Sequence, residues 1–254
     1  MRKNIFIDER SEIASVILCV LFVLCFSGCV VVSISYSTEK AVSGKGSPGK
    51  YEIYTGEYSG IKVEGLCEIR YFAAPSNTVT LEIQPNLREY YVVEVQNGEL
   101  IVRSTRKINY SSRSPVLTVS TPVLNSLTIG GMCTFKTNDK IKGDAFNLDI
   151  RGAGDGNAEF DVNSLKASMA GAGSFEFSGK ADIAEIDMSG TGKLNAISLQ
   201  TREASVNLSG AGTIRINSSE KLSIKASGVG TVEYKGSPNL SLNTGGVVSI
   251  RQVD

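Results

Sequence analysis

The chain has 254 residues and no histidine, so it lacks the side chain that titrates near neutral pH without a perturbing environment. Ser-His-Asp and Cys-His nucleophilic sites are thereby excluded, together with most zinc sites, for which only thiolates and carboxylates remain as ligands. Asp and Glu can act as general acid and base on their own. To cleave a polysaccharide on a β surface they would have to converge on one groove from neighbouring strands. Asp149, Asp155, Asp187, Glu176 and Glu233 are the candidates. They fall in different columns, interrupted by Ser168, Asn195, Asn207, Arg215 and Lys225. Such alternation suits a solvated face with unlike charges stacked in a ladder, and no catalytic residue is assigned.

Two glycine-rich stretches resemble nucleotide motifs and fail on context. Gly44-Lys45-Gly46-Ser47-Pro48-Gly49-Lys50-Tyr51 nearly matches a phosphate-binding loop, but Tyr51 stands where the Mg²⁺-binding hydroxyl belongs. No buried strand precedes it and no helix pattern follows. Gly152-Ala153-Gly154-Asp155-Gly156 opens no helix either, so it is no dinucleotide fingerprint. Dense Asp-Gly repeats that would hold calcium are absent. No metal or other cofactor is expected. Twenty-six Lys and Arg balance twenty-six Asp and Glu, which leaves no net field for a polyanion, and nucleic acid is not an expected partner.

The five cysteines divide by position. Cys19 and Cys25 lie in the apolar run 13–26, which follows Arg2, Lys3 and Arg10 and has the length of a signal-peptide core. The run ends at Phe26-Ser27-Gly28-Cys29, which resembles a lipobox with Cys29 as the lipid attachment site. Phe26 replaces the usual aliphatic residue, and Asp8, Glu9 and Glu12 dilute the positive charge. The alternative is therefore an uncleaved transmembrane anchor over 13–34. Either version places the remainder in the cell envelope outside the cytoplasm; the first makes it an outer-membrane lipoprotein held to the membrane by its lipid.

The elements that would carry these residues are strands. The reading along the chain is a signal peptide of lipoprotein type over 1–28, a flexible Ser/Gly/Lys-rich tether over 29–50, a first coil and antiparallel hairpin subdomain over 51–126, and parallel β-helix repeats over 127–254. Period-two alternation begins at Tyr51, and Asn97-Gly98 between alternating runs predicts a type I′ hairpin. From Leu127 the chain repeats at about twenty residues, the period of a solenoid. Gly152-Ala153-Gly154, Gly171-Ala172-Gly173, Gly190-Thr191-Gly192, Gly210-Ala211-Gly212 and Gly228-Val229-Gly230 mark successive corners, with Thr244-Gly245-Gly246 as a degenerate last copy. Apolar residues recur at the fourth and second positions before each corner, and again at the fourth and sixth after it, as in Ile186 and Met188 or Ile214 and Ile216. One such unit cannot bury its apolar side. Copies stacked at about 4.8 Å enclose a continuous core. The fold class is all-β: a right-handed single-stranded parallel β-helix of about seven Gly-x-Gly coils, with a small antiparallel β subdomain at its N-terminal end. Glycines suit the corners because a Cβ would obstruct close backbone approach and unusual φ.

Gly131-Met132-Cys133 and Gly65-Leu66-Cys67 share this frame and put Cys in place of the second glycine. If their coils are adjacent, the Cα atoms lie about 4.8 Å apart, within disulfide reach. The alternative is a pair of small buried thiols filling a tight corner.

The strand opening at Ile61-Lys62-Val63-Glu64-Gly65, the stretch 91–102 through Asn97-Gly98, and the run from Pro122 to Ile129 followed by the Gly-x-Gly ladder together resemble the adhesin family named for its "head GIN" domain. The resemblance spans about residues 52–234. It implies a Bacteroidota-type envelope lipoprotein, a right-handed β-helix related in shape to pectin lyases, and no established catalytic residue; adhesion is the conjectured role. Cys67 and Cys133 at two corners set this copy apart.

Two surface features could meet a partner. Just before the corners stand Ser189, Ser209, Ser227 and Asn243, a polar strip suited to a glycan or a surface protein, or simply small enough for coils to pack. Arg103, Arg106, Lys107 and Arg113 with Tyr110 form a basic segment that would suit an acidic glycan or a solvated loop. The expected function is a non-catalytic envelope module that binds or builds surface structure. The alternatives are a hydrolase or lyase acting on polysaccharide and a regulatory or assembly component of an envelope complex. Unpaired strands at a β-helix end would also permit self-association.

Overall fold

The computed structural model describes residues 40–109 and 114–254. Its compact unit, Lys40–Asp254, is built almost wholly of strands. The N-terminal part comprises β1 (Val42–Ser43), β2 (Gly49–Glu52), β3 (Gly60–Val63), β4 (Leu66–Ala73), β5 (Thr78–Ile83), a 3-10 turn (Pro85–Tyr90), β6 (Tyr91–Gln96), β7 (Glu99–Ser104), β8 (Ile108–Asn109) and β9 (Val116–Thr121). The ladder follows as β10 (Ser126–Ile129), β11 (Met132–Thr137), β12 (Ile141–Ile150), β13 (Ala153–Met169), β14 (Ala172–Met188), β15 (Thr191–Leu208), β16 (Ala211–Ala226), β17 (Val229–Lys235), β18 (Asn239–Thr244) and β19 (Val247–Gln252).

From β10 onward every pairing is parallel and joins one coil to the next. The apolar columns therefore stack in register: Ile61, Leu127, Leu148, Ala167, Ile186, Val206, Ile224 and Leu242 form one such line. Alternate side chains of the inner strands, β3 to β7 and β9 to β17, are buried or half-buried, and together they make one continuous core through the stack. This is the parallel β-helix that the twenty-residue repeat predicts.

The hairpin segment is woven into the helix and is not a separate body. The β6–β7 hairpin is antiparallel, with Gln96 opposite Glu99, and Asn97 and Gly98 have φ of 52° and 77°, the positive values a type I′ turn requires. β7 also pairs in parallel with β3, and β9 with β4. β5 lies antiparallel on β9, and β2 on β5. These antiparallel strands cover the N-terminal end of the stack. At the other end, β18 and β19 have ladder partners on one side only among the described residues, and Leu242 and Val247 are exposed.

Two expectations are corrected in detail. The tether reaches residue 50 in the sequence reading, yet Val42–Ser43 pairs with Ile108–Asn109 and Gly49–Glu52 pairs with β5. Tyr51 sits opposite Leu81 and packs against the core. Strands of two to four residues are too short to show a period among Ser and Gly. Residues 1–39, which hold the expected signal peptide, Cys29 and the rest of the expected tether, lie outside the described residues.

The second correction concerns the last coil. Asn243 pairs with Lys225, and Thr244 with Ala226, so Gly246 is the residue that stacks on Gly228. The degenerate copy is therefore displaced by two residues from its sequence frame. Period-two alternation cannot detect a shift of two, because inward and outward faces are preserved. Close backbone approach decides the frame: a Cβ on Gly246 would overlap the Gly228 carbonyl oxygen.

Candidate functional site

Ser189, Ser209 and Ser227 occupy equivalent places in successive coils, each donating its backbone N–H to the coil beneath, at Met169, Met188 and Leu208 respectively. All three are exposed. They form a short vertical strip beside the glycine corners. Asn243 is not part of it; Gly245 takes the equivalent place, donating to Ala226.

The charged column that the spacing predicts is present. Glu176, Asn195, Arg215, Glu233 and Arg251 stand in register across five strands. Glu233 lies between two guanidinium groups, 2.6 Å from Arg215 Nε and accepting a 3.0 Å hydrogen bond from Arg251 Nε. The Arg251 hydrogen bond holds its carboxyl below the usual carboxylate range against the opposing effect of desolvation, and Arg215 adds to the lowering. A depressed carboxyl stabilises the fold above the unfolded value and ceases to do so as pH falls through the folded one. Glu233→Gln should therefore lower the thermal midpoint at pH 7. The gap from wild type should close as pH drops below about 4, which melting curves over a pH series would show.

Other outward carboxylates are tied across coils in the same way: Glu185 to Lys166 at 2.9 Å, Glu220 to Arg202 at 2.9 Å and Glu159 to Lys140 at 3.0 Å. Asp187 accepts from Asn207 at 3.1 Å. One groove of about 230 Å³ nevertheless brings Glu159 and Glu176 together with Asn157, Asn195 and Ser198. Column reasoning missed Glu159 because it lies two residues beyond the column that contains Asn157 and Glu176, opposite Ser178.

Cys67 and Cys133 are register partners in β4 and β11, both buried and both free thiols. The neighbouring Cys133 thiol, together with burial, raises the Cys67 thiol well above its ordinary value. Burial closes both sulfurs to reagent, and the reactive thiolate is further disfavoured at Cys67, so iodoacetamide at neutral pH should leave both unmodified in the native chain. Denaturant should expose both, as intact mass would report.

The remaining motifs take structural parts. In the phosphate-loop-like segment, Lys45 donates its backbone N–H to Asn86 Oδ1 at 2.8 Å, and Asn86 Nδ2 donates to the Ser43 carbonyl at 2.9 Å. These two bonds latch the loop to the 3-10 turn. In the basic segment, Arg103 faces Glu94 at 3.4 Å and Arg106 covers the Tyr90 ring at 5.5 Å. Tyr110 and Arg113 lie outside the described residues. No group of three or more acidic or cysteine side chains is placed to hold a metal ion among the described residues, and no described helix is long and apolar enough to cross a membrane.

Solved structures share this architecture. A putative adhesin from Bacteroides fragilis is 20% identical with a TM-score of 0.79, covering 84% of this chain and 100% of its own. A putative lipid binding protein from Parabacteroides distasonis is 23% identical with a TM-score of 0.66, covering 85% of this chain and 100% of its own. A putative adhesin from Parabacteroides merdae is 20% identical with a TM-score of 0.61, again covering 85% and 100%. At such identities the likeness is one of fold. No functionally curated protein matches the chain. The family model described as "Putative auto-transporter adhesin, head GIN domain" matches residues 57–238, most of the folded unit, and the chain belongs to that family.

Proposed function

We propose that the chain is a non-catalytic cell-envelope module that presents a rigid β-helix to a surface partner, carried on a lipid attached at Cys29. The observation that carries the reading is the pairing of outward carboxylates with cations of the neighbouring coil: Glu185 with Lys166, Glu220 with Arg202, and Glu233 with Arg215 and Arg251. A carboxylate engaged in such a ladder is occupied by its cationic partner, which suits a stable display surface better than acid-base work. The strip of Ser189, Ser209 and Ser227 offers hydroxyl groups at the coil spacing, a period that an extended glycan or a strand can match. Membership of an adhesin-described family favours the same reading.

A second reading, a polysaccharide hydrolase or lyase, is favoured by one feature. Glu159 and Glu176 line one groove on adjacent coils, and Glu176 has no ion-pair partner among the described residues. The test is an array of glycans and host-matrix proteins run beside a polysaccharide degradation screen. The expected result is binding without turnover. Turnover that Glu176→Gln abolishes would establish the enzyme instead.

A further inference from the structure

We infer that the cleft at the N-terminal end of the stack is a saccharide site selective for neutral sugars, with Tyr54 as the stacking face and Glu57 and Asn77 as the polar groups. The inference rests on the binding-module reading and gives it a ligand class and a place. Two adjoining cavities, of about 620 and about 400 Å³, share Thr55 and Asn77 in their walls. Their sizes fall in the range of small-molecule sites. Tyr54 lines the smaller one and is 94% exposed, the most exposed large apolar side chain among the described residues. Val123, on the wall of the larger, is also exposed. An aromatic ring displayed beside a polar cleft matches a sugar, whose C–H face packs on the ring while its hydroxyls seek donors and acceptors.

The polar groups are placed for that task. Asn77 donates one N–H to the Tyr58 carbonyl at 3.0 Å, which fixes the amide and leaves its oxygen and second N–H available. Glu57 is exposed and has no ion-pair partner among the described residues, so its carboxylate can accept from neighbouring hydroxyls. The floor is rigid. Tyr58 is buried and its hydroxyl lies 2.9 Å from the Ser120 carbonyl and 3.1 Å from that of Thr78, while Ser120 Oγ donates to the Ser76 carbonyl at 3.0 Å. Such bracing reduces the ordering cost of binding.

Charge selects within the class. Glu52 and Glu57 stand in the walls, and no Lys or Arg lines either cavity among the described residues. Sialic and uronic acids, phosphates and nucleotides would meet like charge, whereas neutral hexoses would not.

The experiment is an array of neutral and acidic oligosaccharides probed with the full chain in a detergent that contains no sugar. Neutral glycans are expected to bind. Tyr54→Ala should weaken that binding by about tenfold, and Tyr54→Phe should preserve it because the ring face remains. Glu57→Gln should weaken it as well. Both positions are exposed, so thermal unfolding should be unchanged and will report any misfolding. Neutral-glycan binding that survives Tyr54→Ala, a preference for acidic glycans, or binding to proteins alone would overturn this site while leaving the binding-module reading intact. Polysaccharide turnover, or binding to nothing on the combined arrays, would overturn both.

Discussion

Gly171→Ala is expected to destabilise the β-helix by about 3 kcal/mol or more, as an overpacked site that cannot relax. A methyl group there would overlap the Gly152 carbonyl oxygen and lie 2.7 Å from that of Arg151. Both are backbone atoms, so no side chain can rotate away. The same carbonyl of Gly152 accepts from Ala172 N at 3.0 Å, and Gly171 N donates to Ile150 at 2.9 Å. Relief would require parting two coils and breaking the ladder that joins them. Gly245→Ala is the control, since nothing lies within 4 Å of a Cβ there, and its effect should stay within about 0.5 kcal/mol. Urea denaturation midpoints of the two variants would measure the difference.

Phe160→Ala is expected to cost about 3–5 kcal/mol. Its ring is fully buried and sits 5.3 Å from Phe146 and 5.2 Å from Phe177, the latter edge to face at 89°. Phe177 in turn lies 6.1 Å from Phe175, so the four rings tie β12, β13 and β14 together. Removing the middle ring opens a cavity in a part of the core where the backbone is laddered on both sides and cannot collapse. In a solenoid each coil contacts only its neighbours. Amide exchange protection should therefore fall most in β12–β14, and less in the N-terminal strands. Uniform loss along the whole stack would mean that the coils are coupled more strongly than nearest-neighbour packing allows.

Most of this architecture was legible because the repeat enforces it. Apolar pairs on either side of each glycine corner specify which side chains face inward, and the corner specifies the register; that the coils of β3–β4 and β10–β11 are adjacent, which sets Cys133 opposite Cys67 and Leu127 opposite Ile61, is seen only in the fold. What spacing could not show has physical causes. The displacement of Asn243 from the serine strip arises where alternation survives a shift of two, and only the approach of Gly246 to Gly228 distinguishes the frames. The strands inside 40–50 are held by partners far along the chain, Ile108–Asn109 and Thr80–Ile83, and no local pattern encodes those contacts. The meeting of Glu159 with Glu176 joins positions in neighbouring columns. The Tyr54 cleft is built from four chain segments distant in sequence, so its residues carry no shared spacing at all.

Glycine corners and cross-coil ion pairs make the stack a rigid, solvated surface, and the proposed role is to hold a ligand on it without changing it. The most direct measurement is the release of reducing or unsaturated ends from any polysaccharide the full chain binds, with the protein at stoichiometric concentration over a long incubation. Release is expected to be no greater than in a protein-free blank, with the bound polymer recovered at its starting length. Release above the blank that disappears in Glu176→Gln would contradict the proposed role and identify the groove of Glu159 and Glu176 as an active site.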